Sequence, residues 1–188
     1  MALRIVGGRH RGRPLAAMPD ETIRPTSERT REAVFDILLH GAPAEHVALD
    51  GARVLDAFAG TGALGLEALS RGAAEAVFIE RDRAALSVLR ENVARLGERD
   101  RVQIVGSDAT APPRAARPVD LAFLDPPYRT DLAPAALVAL VDAGWLPAGA
   151  VAVVETATGA PFVPPAGFAI IDTRRYGKAT VTFLLRPR

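Results

Sequence analysis

From residue 53 onward, short apolar runs alternate with stretches of helical periodicity, and that alternation admits few folds. The run RVLDAF (53–58) predicts a buried strand, closed by the glycine-rich turn Gly60-Thr61-Gly62. A helix is expected over about 62–71, with Leu64, Ala68 and Leu69 inward and Gly72 as its stop. A strand over 75–80 (EAVFIE) follows, then a helix over 82–96 that carries Leu86, Leu89, Val93 and Leu96 on one stripe and stops at Gly97. Further strands are expected over 101–105, 119–124 and 149–155, with a helix around 132–143. The segment 109–118 holds three prolines and supports one helical turn at best, and 156–167 is unsuited to a helix. Runs over 168–173 and 179–186 read as a closing antiparallel pair. Strands separated by helices require crossover connections, which place parallel neighbours in a sheet covered on both faces. The expected fold is therefore α/β and Rossmann-like, a mostly parallel seven-stranded sheet with an antiparallel C-terminal strand pair.

The amino-terminal part follows a different pattern. Leu3 to Val6 and Arg13 to Ala17 can pair as a hairpin around Gly7, Gly8 and Gly12, and a helix over about 27–40 buries Val34, Ile37 and Leu38. Residues 1–31 hold seven arginines against Asp20, Glu21 and Glu28, a local net of +4 in a chain whose total is +1, so the remainder carries −3. Clustered basic charge at one end suggests a polyanionic partner. A chain of 188 residues suits one main domain with a small extension. The division expected is a basic extension over 1–45 and a catalytic domain over 46–188. The chain has no cysteine, which excludes disulfides, thiolate metal sites and cysteine nucleophiles. His10, His40 and His46 show no metal-ligand spacing, no apolar run approaches a membrane span, and no signal-peptide pattern opens the chain. A soluble, cytoplasmic, metal-free protein, acting as a monomer, is the resulting expectation.

Gly60, Gly62 and Gly65 satisfy the pattern G-x-G-x-x-G between a strand and a helix. Glycines there permit a tight turn and close ligand approach, and the helix amino terminus offers free N–H groups. Acidic residues narrow the ligand. Asp56 lies near the end of the first strand, where it would repel a diphosphate and suit an ammonium or sulfonium. Glu80 ends the second strand, where a carboxylate accepts ribose hydroxyl hydrogens, and Asp108 follows the third, where one accepts from an adenine amino group. All three fall on the sheet edge where α/β proteins bind ligands. A nucleoside with a positive charge and no phosphate fits, which favours S-adenosylmethionine over NAD.

Asp125-Pro126-Pro127-Tyr128 is the most specific feature of the chain. It follows an apolar strand, so it belongs to the same edge. Two prolines fix the backbone and aim its carbonyls outward, while a carboxylate only accepts. Such a cluster grips an exocyclic amino group by its hydrogens, and Tyr128 can lie flat against a base, a contact worth about 1–3 kcal/mol. With these motifs the chain resembles class I S-adenosylmethionine-dependent methyltransferases, and more closely the RsmD family, bacterial enzymes acting on a guanine N2 of small-subunit (16S) ribosomal RNA. The resemblance covers nearly the whole chain. It rests on Arg4-Ile5-Val6-Gly7-Gly8 with Arg11-Gly12-Arg13, on Arg24-Pro25-Thr26 with Arg31-Glu32, on Asp56 to Gly62 with Leu64-Gly65, on Asp125 to Tyr128, and on Tyr176-Gly177.

The resemblance implies direct methyl transfer without a covalent enzyme intermediate. It casts Asp125, Pro126, Pro127 and Tyr128 as catalytic, with Tyr128 stacking on an extruded base. It assigns the cofactor's methionine end to Asp56, Gly60 and Gly62, its ribose to Glu80 and its adenine to Asp108 and Ala109, with Phe58, Thr61 and Arg81 as adjoining contacts. Arg4, Arg9, Arg11, Arg13, Arg24 and Arg29 would bind RNA phosphates, whereas Arg31 could pair with Glu28 or Glu32. The chain departs from the class in its short, proline-rich 109–118 and in lacking the helix usual before the sixth strand.

Four other functions share parts of this pattern. A DNA adenine-N6 or cytosine-N4 methyltransferase needs only an exocyclic amine, but no target-recognition domain is visible. A protein glutamine methyltransferase shows Asn in place of Asp125. A NAD-dependent oxidoreductase would use the glycines yet finds no catalytic His, Tyr-Lys or Cys set, and a non-catalytic RNA-binding module would not need an intact Asp125 to Tyr128.

Overall fold

A computed structural model describes residues 3–18, 28–127, 132–159 and 162–188. Helix α1 spans Glu28–His40. The chain then alternates through β1 (Arg53–Ala57), α2 (Ala63–Ser70), β2 (Glu75–Glu80), α3 (Arg83–Leu96), β3 (Val102–Gly106), β4 (Leu121–Leu124), α4 (Leu132–Asp142) and β5 (Val151–Ala157). Strands β6 (Ala169–Tyr176) and β7 (Ala179–Leu185) complete it. The seven strands form one sheet in the order β3-β2-β1-β4-β5-β7-β6. Pairs β1·β2, β1·β4, β2·β3 and β4·β5 are parallel, while β7 is antiparallel to both β5 and β6. The order reverses at β1·β4, the switch point where such sheets bind ligands.

The expected architecture is the one observed, with boundary shifts that have local causes. β1 stops at Ala57 because Phe58 turns into the left-handed region, with φ 64°. Helix α2 starts at Ala63, capped by Gly62 at φ 80°, and α3 is capped by the Asp82 side chain accepting from Ala85 N at 2.8 Å. Segment 109–118 forms no helix, and Trp145 Nε1 donates to Pro113 O at 2.8 Å to pin it against the sheet. Strand β5 runs on to Ala157 into the stretch judged unfit for a helix. The amino-terminal hairpin reduces to a single bridge, Arg4 to Pro14, flanked by Ile5 N to Arg13 O and Leu15 N to Leu3 O. Pro14 has no N–H to extend a ladder. The start of α1 near Pro25 lies outside the described residues.

Alternate residues of the buried strands feed two cores, one on each face of the sheet. On one face Val54, Phe123 and Phe183 meet α1, α2 and α3, and Leu3, Ile5 and Leu15 of the amino-terminal segment join them. Phe35 of α1 meets Phe123 with ring centroids 5.5 Å apart. On the other face Leu55, Ala122 and Val154 pack against α4 and Trp145. Helix α1 and the amino-terminal segment thus share a core with the helices that support the glycine-rich turn.

Candidate active site

Register aligns the carboxyl ends of the central strands. Ala57 pairs with both Ile79 and Leu124, so the next residues, Phe58, Glu80 and Asp125, stand level across three adjacent strands. Glu80 in turn pairs with Gly106, the last residue of β3, which leads into Asp108 just beyond it. The four sequence-predicted groups are thereby brought onto one edge.

The turn after β1 is strained and open. Phe58 is the one non-glycine residue with positive φ among those described. Such backbone in a bulky residue persists only where its surroundings enforce it, and it clusters at functional sites. Gly60, at φ 54°, has no neighbour within 4 Å of where a side chain would project, so its face lies open to a ligand. Gly65 serves packing instead: a Cβ there would fall 2.4 Å from the Phe78 ring. Thr61 lies between, its carbonyl accepting from Asn92 Nδ2 at 3.0 Å.

Each acid has a distinct setting. Glu80 accepts from Gly60 N, Arg81 N and Asp82 N, each at 2.8 Å, so its carboxylate is fixed with acceptor capacity to spare. Asp108 takes Thr110 N at 2.8 Å and Thr110 Oγ1 at 2.7 Å, and Arg81 Nη1 at 2.7 Å. Those bonds, led by the Thr110 amide, hold its pKa below the usual carboxylate value. Ala109 beside it is buried. Asp56 sits beneath the turn, 2% exposed, its Oδ2 accepting from Gly65 N at 2.9 Å. Burial pushes its pKa well up, and the charges of Asp125 and Glu80 push the same way against the Gly65 bond. Asp125 is half-buried, Pro126 buried and Pro127 exposed, while Tyr128 lies outside the described residues.

The raised pKa of Asp56 has a sign that can be tested. Unfolded, the group titrates near the ordinary value of about 3.9 and loses its proton first, so folding stability falls as pH rises from there toward the folded pKa. Asp56→Asn keeps an acceptor for Gly65 N and removes the titration. Its melting temperature should match the parent's near pH 4 and exceed it increasingly as pH rises toward the raised folded pKa, levelling off above it, in ligand-free protein. A difference independent of pH would contradict this account of Asp56.

The predicted RNA-binding arginines are only partly available. Arg4 pairs with Glu28 at 3.1 Å, Arg9 with Glu98, and Arg13 Nη2 donates to Arg95 O at 3.0 Å. Arg11 and Arg29 are exposed, and Arg24 lies outside the described residues. Arg31 departs from the neighbour pairing expected for it: fully buried, it meets Glu67 at 3.4 Å, 36 residues away, and donates to Arg4 O at 2.5 Å. Glu28 contributes only its charge among the influences resolved on Arg31.

Two buried polar residues escaped the sequence reading. Glu67 on α2 accepts Val6 N at 2.8 Å, Gly7 N at 2.7 Å and Arg71 Nε at 2.8 Å, besides Arg31. It clamps the amino-terminal segment to the helix behind the glycine-rich turn, so closely that a Cβ on Gly8 would strike Ser70 O at 1.9 Å. Asn92 on α3, with no exposure, accepts Ala16 N at 2.6 Å and donates to Ala16 O at 3.1 Å as well as to Thr61 O. One side chain thus ties the basic segment to the turn. The available signal was a polar residue on the stripe of Leu89, Val93 and Leu96.

The chain as a whole is similar to known proteins. The family described as "Conserved hypothetical protein 95" matches residues 3–185. Ribosomal RNA small subunit methyltransferase D of Escherichia coli is 42% identical over 165 residues, 86% of this chain and 79% of that protein. Its Haemophilus influenzae counterpart is 32% identical over 179 residues, covering 93% and 89% of the two chains. The solved structure of Escherichia coli yhhF, described provisionally as a methyltransferase, superposes with a TM-score of 0.83 at 36% identity, covering 100% of this chain and 99% of that one.

Proposed function

Because the chain belongs to the RsmD family, represented by the match over residues 3–185, we propose that it methylates the exocyclic N2 amino group of a guanine in small-subunit ribosomal RNA. S-adenosylmethionine is its cofactor. The observation that carries the reading is the level row of Glu80, Phe58 and Asp125 on adjacent strands, with the open turn at Gly60 beside it. A cluster of acids, one raised in pKa chiefly by its burial and further by Asp125 and Glu80, suits a cationic nucleoside and disfavours a diphosphate.

When bound, the cofactor supplies a methyl group on a positively charged sulfur. The protein's residues do the rest by placement. Glu80, fixed by three amide bonds, holds the ribose hydroxyls; Gly60 and Gly62 let the backbone approach the methionine end; Asp108 and Ala109, with Arg81 across the rim, border the adenine. Phe58 and Thr61 shape the turn, and Asp56 holds the Gly65 amide beneath it. Asp125 and the Pro126 carbonyl accept hydrogen bonds from the guanine amino group, which turns its lone pair toward the methyl, and Tyr128 is assigned to stack on the extruded base. Arg11, Arg24 and Arg29, with Arg4, Arg9 and Arg13 where their ion pairs open, contact phosphates. The protein works as a monomer in the cytoplasm, where its ribosomal substrate is; no helix among the described residues is long and apolar enough to cross a membrane.

The deciding experiment supplies labelled S-adenosylmethionine with small ribosomal subunits, total RNA and genomic DNA, followed by nucleoside analysis. N2-methylguanosine from the ribosomal substrate is expected. Label in DNA as methyladenine would overturn the substrate, and no label anywhere would overturn the activity.

Asn92 gives a second check. Asn92→Asp keeps the acceptor for Ala16 N but loses both donated bonds, leaving the Ala16 and Thr61 carbonyls unpaired at about 1–3 kcal/mol. Cofactor affinity should fall about tenfold by calorimetric titration, because Thr61 is no longer held. An unchanged affinity would mean that other contacts set the turn.

A further inference from the structure

We infer that the tip of the β6–β7 hairpin, through Arg175 and Lys178, is a phosphate-binding contact for the RNA substrate, separate from the amino-terminal segment. This rests on the function proposed above. Topology puts the tip on the functional edge: β7 runs antiparallel to β5 with Ala157 opposite Ala179, so the β6–β7 turn lies at the carboxyl end of the sheet. Pairing continues past the strands, Thr158 N donating to Lys178 O at 2.8 Å and Thr158 Oγ1 to Gly177 O at 3.1 Å. The turn is therefore tied down and projects as a firm post.

Its distance from the chemistry follows from strand geometry. Leu124 pairs with Val154, so Asp125 stands level with Glu155, and the hairpin tip lies three residues further along β5. At about 3.3 Å per residue the tip stands roughly 10 Å above Asp125, and two strand spacings of about 4.8 Å set it roughly 10 Å to the side. A nucleic-acid strand delivering a base to Asp125 passes within reach of side chains as long as arginine and lysine.

Charge points the same way. Arg174 is taken by Asp172 at 2.9 Å, but Arg175 and Lys178 are exposed and make no ion pair among the described residues. Arg4 and Arg9 of the amino-terminal segment, by contrast, are ion-paired. Two unpaired cations on a rigid tip beside the site are better placed for phosphates than paired ones that must first let go.

Lys178 is the chain's single lysine, which makes the tip addressable by amine chemistry. Affinity for naked small-subunit ribosomal RNA is measured across a salt series for the parent, for an Arg175→Glu, Lys178→Glu double variant, and for Arg188→Glu, a charge reversal at the opposite sheet edge beside Gly149. The double variant should bind RNA at least tenfold more weakly, with the slope of log affinity against log salt reduced by about 1–2, and should bind S-adenosylmethionine as the parent does. Arg188→Glu should bind RNA like the parent, and RNA should protect Lys178 from acetylation by an N-hydroxysuccinimide ester. Parental affinity and slope in the double variant, equal loss in Arg188→Glu, or acetylation of Lys178 undiminished by RNA would each overturn the assignment. If the parent methylates ribosomal substrate while the double variant binds RNA undiminished, only this inference falls; a parent that methylates neither ribosomal RNA nor small subunits removes the proposed function with it.

Discussion

Replacing Asp125 with alanine should slow methyl transfer about 10²–10³-fold while leaving cofactor affinity close to the parent's. The asymmetry comes from position. Asp125 follows β4, on the far side of Phe58 from Glu80, so the ribose end of the site loses no partner when its carboxylate goes. What is lost is the acceptor that orients the amino group, and a mispositioned lone pair costs rate rather than binding. The deleted charge also relieves Asp56, one of whose upward pKa influences is Asp125, so the variant's apo form should be no less stable. Single-turnover rates with saturating RNA and calorimetric titration with S-adenosylmethionine separate the two effects. A parallel loss of cofactor binding would show that Asp125 belongs to the cofactor's half of the site.

Glu67→Ala should be the most destabilising single change outside the hydrophobic core. It takes the Glu67 carboxylate from Arg31, which has no exposure, and leaves Val6 N and Gly7 N without their acceptor. Removing one partner of a buried pair costs about 3–5 kcal/mol. In a chain of this size that corresponds to a melting temperature lower by roughly 10 °C. Joint replacement, Glu67→Leu with Arg31→Met, should recover part of the loss, since the fully buried Arg31 charge is then gone, while Arg71 and the Val6 and Gly7 amides still lack their acceptor. The functional signature is separate: with the amino-terminal segment unclamped from α2, RNA affinity should drop more than cofactor affinity. A melting temperature within about 2 °C of the parent would show that water or neighbouring groups satisfy Arg31 without Glu67.

The sheet, the glycine-rich turn and the acids at strand ends were legible in the sequence because parallel strands buried on both faces read as plain apolar runs. RVLDAF and VDLAFL announce β1 and β4 in this way, and the turn residues that follow them fix which edge carries the site. The contacts of the arginines were not legible. Arg9 meets Glu98 and Arg31 meets Glu67, partners 89 and 36 residues away, and no periodicity encodes a pair at such separation. Asp56 illustrates a subtler limit. Its place in the motif was plain, but whether it lies on the surface of the site or beneath it depends on the Gly65 amide, which the packing of Gly65 on Phe78 positions.

The insertion of β7 between β5 and β6 orders events in time as well as in space. β7 is the last strand in sequence, yet Val181 and Phe183 sit in one core and Leu184 in the other. On a ribosome making this protein, β5 would present an open hydrogen-bonding edge until residues 179–185 had emerged, and β6 would have no neighbour to join. The hairpin tip carrying Arg175 and Lys178 would take shape at that same closing step. A nascent chain would therefore complete this hairpin last, after the cofactor half of the sheet had already been laid down.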